Sequence, residues 1–275
     1  MNITFWGVRG SMPTPGPSTA VYGGNTSCVS VQAEPTSLVI LDAGTGIRQL
    51  GDQLGNEIER IDILLTHLHM DHIIGLGFFA GFYREGLEVH LWGPDSTVGQ
   101  LRERLSRYLS PPLFPVRLRE LPCQLSLHSL PLRAFEIPGF DVMATLVCHP
   151  GATVGYRLEG SASVAYLPDH EPALGVRSFP NLARWTSGYE LASGADVLIH
   201  DAQYTDEEYD ARRGWGHSTV GHTVAFAELA QVRHLVPFHH DPTHDDDWID
   251  ATYAAIPPPP GMTITPAREG LALTV

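Results

Sequence analysis

Cysteine is scarce in this chain. Of 275 residues only Cys28, Cys123 and Cys148 are cysteine. Three thiols cannot all pair with one another, and none sits in a C-x-x-C motif, so a reducing, cytoplasmic setting is expected. Basic residues are also few, 17 against 31 acidic ones, for a net charge of −14. An acidic surface repels phosphate backbones and disfavours broad nucleic-acid binding. It leaves room for a small anionic substrate, because cations inside a cleft reverse the local field. Long apolar runs are missing as well. The most apolar stretch, Ile73 to Phe82, is interrupted by glycines and falls far short of the ~20 residues of a membrane span. The opening MNITFWGVRGS lacks a basic start followed by an apolar stretch and reads as a strand, not as a signal peptide.

What is present is an ordinary globular composition, in a chain long enough to hide roughly 75% of its unfolded surface. Strand patterns cover Ile3–Val8, Ser27–Gln32, Ser37–Leu41, Ile61–Leu65, Leu87–Trp92, Val142–Val147, Thr153–Leu158, Ser163–Leu167, Val197–Ile199 and His234–Phe238. Helices are predicted over Ile47–Leu54, after the tight turn of Asp42-Ala-Gly-Thr-Gly, then over Ile73–Tyr83 and Thr97–Leu109. A further helix is expected after a Ser218 cap, with Val220, Val224, Ala227 and Ala230 on one face, and another from the acidic run Asp245-Asp246-Asp247. The proline-rich stretch Ser110–Pro138 reads as short strands and loops. Strands and helices mix along the whole length without a linker, which predicts one domain over residues 1–275 with sheets inside and helices outside.

The chemistry concentrates just after Ile61–Leu65, in the run His67-Leu-His-Met-Asp-His72. Three imidazoles and a carboxylate packed this closely suit zinc, iron or manganese. In an extended stretch, residues two apart face the same way, so His67 and His69 can share one ion while a turn directs Asp71 and His72 to a second. A solvated polar loop is the competing reading. More ligands are then required downstream at strand ends, and His149, Asp169 and the pair His239-His240 stand there.

Thr66-His-Leu-His-Met-Asp-His-Ile-Ile-Gly75 resembles the H-x-H-x-D-H signature of the metallo-β-lactamase superfamily, and the later His, Asp and His follow in the same order. The resemblance implies an α/β fold, a four-layer αββα sandwich with its site at one edge. It implies that His67, His69 and His149 hold one metal, that Asp71, His72 and His239 hold the other, and that Asp169 bridges them. The ions would be two divalent transition metals, Zn2+ first, with Mn2+ or Fe2+ suiting the same donors. Leu198-Ile-His-Asp-Ala-Gln203 and Gly216-His-Ser-Thr219 resemble segments of the phosphodiesterase branch that includes tRNase Z, with Asp201 where that branch has glutamate. By this likeness Asp201 orients His217, which protonates the leaving oxygen, while Asp71 and Asp169 orient the attacking water. Asp for Glu shortens the reach of that relay.

The implied function is a binuclear metal-dependent hydrolase, a phosphodiesterase acting on a small phosphodiester such as a cyclic nucleotide. A thioester, lactone or amide hydrolase and a non-catalytic metal-binding regulator are the alternatives. No tRNA-gripping arm is evident, which with the acidic surface argues against transfer-RNA processing. Arg9 and the Gly23-Gly24-Asn25 backbone offer a phosphate contact, or else a structural turn. Superfamily relatives are often homodimers, so a dimer is allowed, and no membrane partner is expected.

Overall fold

Alternation such as Ile3-Thr-Phe5 and Val29-Ser-Val31 turns every second side chain to one face of a strand, and in the computed structural model those residues are buried between two sheets. The structure describes residues 1–130, 134–172 and 182–275; residues 131–133, inside the stretch read as short strands and loops, lie outside them.

The first sheet holds β1 (Asn2–Gly7), β2 (Cys28–Gln32), β3 (Ser37–Leu41), β4 (Arg60–Leu64), β5 (Glu88–Gly93), β6 (Gln124–Ser129) and the last strand β14 (Ala272–Thr274), in the order β14-β1-β2-β3-β4-β5-β6. The second holds β7 (Phe135–Ile137), β8 (Phe140–Leu146), β9 (Val154–Glu159), β10 (Ser163–Leu167), β11 (Val197–Asp201), β12 (His234–Phe238) and β13 (Thr263–Ile264), in the order β13-β12-β11-β10-β9-β8-β7. Phe5, Val31, Leu41, Val142, Tyr156, Ile199 and Phe238 fill the space between them.

On the outer face of the first sheet, Ile47, Leu50, Ile63 and Leu105 join α1 (Ile47–Asp52), α2 (Met70–Ile73) and α3 (Leu101–Ser106) to the strands. On the outer face of the second, Leu191, Leu198, Phe226 and Leu235 do the same for α4 (Tyr189–Ala192) and α6 (Val220–Leu229). The result is the expected αββα sandwich. Two short elements complete it: α5 (Asp206–Tyr209), and α7 (Asp246–Ala254), which lies against the turn at Pro17–Thr19.

Strands β3 to β6 run parallel to one another, as do β10 to β13. Both runs therefore present carboxyl ends at a common edge, where parallel sheets hold their ligands.

Several local expectations change. Ile73–Tyr83 is not one helix but the end of α2 followed by 3-10 turns at Leu76–Phe78 and Ala80–Tyr83. The glycines that weaken a helix here are needed for close packing, since a Cβ on Gly75 would lie 2.0 Å from the Gly44 carbonyl. The predicted helix Thr97–Leu109 shortens to α3, where Glu103 accepts from the Gln100 amide. Thr219, not Ser218, caps α6 by accepting from the His222 amide, while Ser218 donates to the His170 carbonyl. Strands β13 and β14 are too short to leave an alternating pattern, and β6 and β7 fall inside the stretch without assigned strand limits. Among the described residues no helix is long and apolar enough to cross a membrane.

Leu158 lies fully buried between the sheets, paired with Val142 and Val164 away from the strand ends that carry the histidines. Leu158→Ala is expected to cost about 2–5 kcal/mol of stability. Urea unfolding would read this, with bound metal per folded molecule unchanged.

Candidate metal centre

Strand β3 ends at Asp42, whose φ of 58° lies in the left-handed region that aspartate tolerates better than most residues. The turn aims a fully buried carboxylate at the neighbouring strand end. Asp42 accepts from the Thr66 amide (2.8 Å), the Thr66 hydroxyl (2.9 Å), His72 Nδ1 (2.8 Å) and the Tyr166 hydroxyl (3.0 Å). Thr66 Oγ1 lies 3.1 Å from His67 Nδ1. One carboxylate thus fixes the turn 66–72 and, through Nδ1, the ring orientation of two histidines. Their Nε2 atoms are left facing inward.

The other histidines are held in the same manner. His149 donates from Nδ1 to the Gly216 carbonyl (2.8 Å), and His239 Nδ1 lies 3.2 Å from Gln203 Oε1. His239 has a φ of 62°, another left-handed turn at a strand end. Gly216 has a φ of 90°, and a Cβ there would sit 2.3 Å from His149 Nδ1. The loop that carries Gly216 is itself clamped by the buried Glu171, which accepts from the Tyr209 hydroxyl and the Gly214 and Gly216 amides at 2.5, 3.0 and 2.9 Å.

All of these rings converge on Asp169, at the end of β10. Its carboxylate lies 3.0 Å from His72 Nε2, 3.3 Å from His239 Nε2, 3.5 Å from His149 Nε2 and 3.7 Å from His67 Nε2. Asp71 Oδ2 is 3.3 Å from both His72 Nε2 and His239 Nε2, and accepts from the Ser11 amide. His69 sits at the exposed mouth with Nδ1 3.3 Å from His149 Nε2. The donor atoms of His67, His69, His149 and Asp169 form one group within 4.8 Å, those of Asp71, His72 and His239 a second, and those of Asp169, His217 and His239 an overlapping third.

The donor set fits a divalent cation. His67 Nε2, His72 Nε2 and Asp169 Oδ1 are buried and make no hydrogen bond of acceptable geometry. An unsatisfied buried polar group costs about 1–3 kcal/mol, and here three of them point into the same small space. Titration follows the same logic. Burial pushes the His67 imidazole well below its ordinary pKa. Burial also opposes charge on His72, but Asp169, Asp71 and Asp42 outweigh it and hold that ring well above the usual range. Asp71 and Asp169 are likewise buried, yet the surrounding imidazoles pull both carboxyls well down. Without a cation, protons on imidazole supply the positive charge the carboxylates require; a bound ion displaces them.

His217 stands beside this cluster, its ring stacked on His239 with centroids 5.1 Å apart. Burial works against its charge, but the Asp201 carboxylate, 2.7 Å from Nδ1, raises it to about 9. The aspartate therefore does span the gap. Asp201 is itself fixed by the His170 and Gln203 amides. Of the tandem pair, His239 faces the cluster; His240 turns away to the Ala267 carbonyl and packs on Tyr22.

Arg9 does not reach a phosphate. It is fully buried and gives its N–H groups to the Gly23, Asp241 and His244 carbonyls, while Asn25 is tied to Glu269. The segment is a structural turn: Arg9 Nε and Nη1 are spent on backbone carbonyls, and Nη2 lies 4.0 Å from the Asp246 carboxylate. Asp42, Thr66, Glu171 and Gln203 had no place in the sequence-based site. The one available signal was Asp42, a lone acid closing an apolar strand ahead of Gly-Thr-Gly.

Residues 38–240 match the family described as Beta-lactamase superfamily domain. Ribonuclease Z of Gemmatimonas aurantiaca is 26% identical over 319 residues, covering 99% of this chain and 96% of that protein. Among solved structures, the short form of human tRNase Z superposes with a TM-score of 0.71 at 22% identity, covering 100% of this chain and 99% of that one. A diphosphatase from the PhnP family superposes at 0.70 and 22%, covering 99% and 96%. With that match running from β3 to the histidine pair that follows β12, the chain belongs to the metallo-β-lactamase superfamily, as a metal-dependent hydrolase of its phosphodiesterase and tRNase Z-like branch.

Proposed function

We propose that this protein, as one domain over residues 1–275, is a phosphodiesterase with a two-ion centre. His67, His69 and His149 would hold one ion and Asp71, His72 and His239 the other, with Asp169 between them. The mixture of imidazole and carboxylate suits Zn2+, and also Mn2+ or Fe2+. Such ions, when bound, supply Lewis acidity and a water whose pKa falls toward about 7. The observation that carries the phosphodiesterase reading is the His217–Asp201 pair. A phosphodiester leaving group departs as an alkoxide and needs a proton. His217, with Nδ1 on Asp201 at 2.7 Å, keeps Nε2–H free to give one. Asp71 and Asp169 present carboxylate oxygens that orient the nucleophilic water. The three cysteines are all unpaired, in keeping with a reducing, cytoplasmic compartment.

A small phosphodiester, such as a cyclic nucleotide, is the substrate we favour. RNA is the second reading. Net charge does not exclude it, because relatives named Ribonuclease Z align over nearly the whole chain.

Bis-p-nitrophenyl phosphate, a cyclic nucleotide, a precursor tRNA with a 3′ trailer and a lactone, assayed with Zn2+ or Mn2+, separate these readings. Turnover of the first two, lost on chelation and restored by metal, is expected. Cleavage of the precursor alone would favour RNA, and lactone hydrolysis alone would rule out the diesterase. His217→Ala should lower kcat on the small diester by about 10²–10⁴-fold while bound metal, measured by elemental analysis, stays constant; loss of an ion would instead make His217 a ligand. Asp42→Asn removes the carboxylate charge that faces His72 and should weaken metal affinity by about 10–100-fold, measured by competition with a chelating dye.

A further inference from the structure

A cavity of about 350 Å³ opens beside the cluster, with His67, His69, Arg104, Arg107 and Tyr108 in its wall. Its wall contains no carboxylate among the described residues, in a chain where acids outnumber bases 31 to 17. Every one of those 17 bases is arginine; the chain has no lysine. Elsewhere arginines face acids, as in Arg60–Asp62, Arg157–Glu159 and Arg233–Asp196. Among the described residues no carboxylate lies within ion-pair distance of Arg104 or Arg107. Arg104 gives Nη2 to the Pro94 carbonyl, but its buried Nε has no partner. Burial lowers the Arg104 pKa, and the charge of Asp95 works against that shift. Arg107 is exposed. The Tyr108 hydroxyl is spent on the Ile74 carbonyl, which leaves its ring as an apolar wall.

Two guanidinium groups without an ion-pair partner among the described residues, set on one turn of α3 and its C-terminal continuation, form a planar-fork donor set suited to phosphate. We propose that Arg104 and Arg107 form an anion subsite for a second phosphate on the substrate, separate from the phosphodiester at the ions, so that the preferred substrate is a small cyclic phosphodiester carrying a further phosphate and its hydrolysis product is a nucleoside bisphosphate. A cavity of this size is at the small end of ligand pockets, which favours a compact ligand over a strand. What the bound molecule is rests on the phosphodiesterase reading above; the subsite itself does not.

The test is calorimetric titration of protein purified without chelator. Thymidine 3′,5′-bisphosphate is expected to bind at least ten times more tightly than thymidine 5′-monophosphate. Arg107→Ala should shrink that preference, and Arg107→Glu should abolish it. Arg107 is exposed and makes no ion pair among the described residues, so these variants should keep the melting temperature and metal content of the parent. Arg104→Gln is the second variant and should also reduce the preference. Equal affinity for the two ligands in the parent protein, or a preference that survives Arg107→Glu, overturns the subsite. A tetranucleotide binding tenfold more tightly than the bisphosphate overturns the small-molecule assignment. Absence of diester turnover with the preference intact would remove the phosphodiesterase reading and leave the subsite standing.

Discussion

A fully buried carboxylate must find donors or leave the protein interior, and Asp42 satisfies that demand with the very groups that shape the site. Its donors come from the turn after β4 and from Tyr166 on β10. The contact therefore ties the two sheets together at the edge where ligands collect. It also sets the tautomers of His67 and His72, with Nδ1 outward and Nε2 inward. Without it, the run from His67 to His72 would be a polar turn with several equally good conformations.

The cluster built on that contact is poor as a stabilising element of the empty fold. Asp71 and Asp169 are buried with the Nε2 atoms of His67, His72, His149 and His239 close to them, and His67 Nε2, His72 Nε2 and Asp169 Oδ1 lack hydrogen bonds. A hydrophobic replacement would pack at lower cost. The arrangement makes sense when a cation completes it, and the same pressure explains why burial and carboxylates push neighbouring histidines in opposite directions. Strain is located there as well: Asp42 and His239 both adopt left-handed backbone at strand ends, held by hydrogen bonds on both sides.

Charge is partitioned between the surface and the cavity. The chain is strongly acidic overall, yet among the described residues the charged side chains that join the histidines in the cavity wall are Arg104 and Arg107. Net charge describes the far field, while the pocket field depends on which few residues the fold turns inward. This is why composition is a weak guide to substrate here.

The spacing of His67, His69, Asp71 and His72, followed by His149, Asp169 and His239 after apolar runs, was legible because metal donors must be dense and strand ends must be marked. Period-two alternation and apolar strand runs likewise marked sheets inside and helices outside, while the αββα arrangement was implied by the family resemblance of the H-x-H-x-D-H run. Long-range choices left no local trace. In the sequence Asp42 opens the tight turn Asp42-Ala-Gly-Thr-Gly, Gln203 closes the segment Leu198–Gln203, and Arg9 is a candidate phosphate contact. Only the tertiary structure decided that Asp42 binds a turn 24 residues away, that Arg9 is enclosed by backbone carbonyls, and that His239 rather than His240 faces the cluster. The physical reason is that a donor type is a property of the residue, whereas its partner is a property of how two sheets meet.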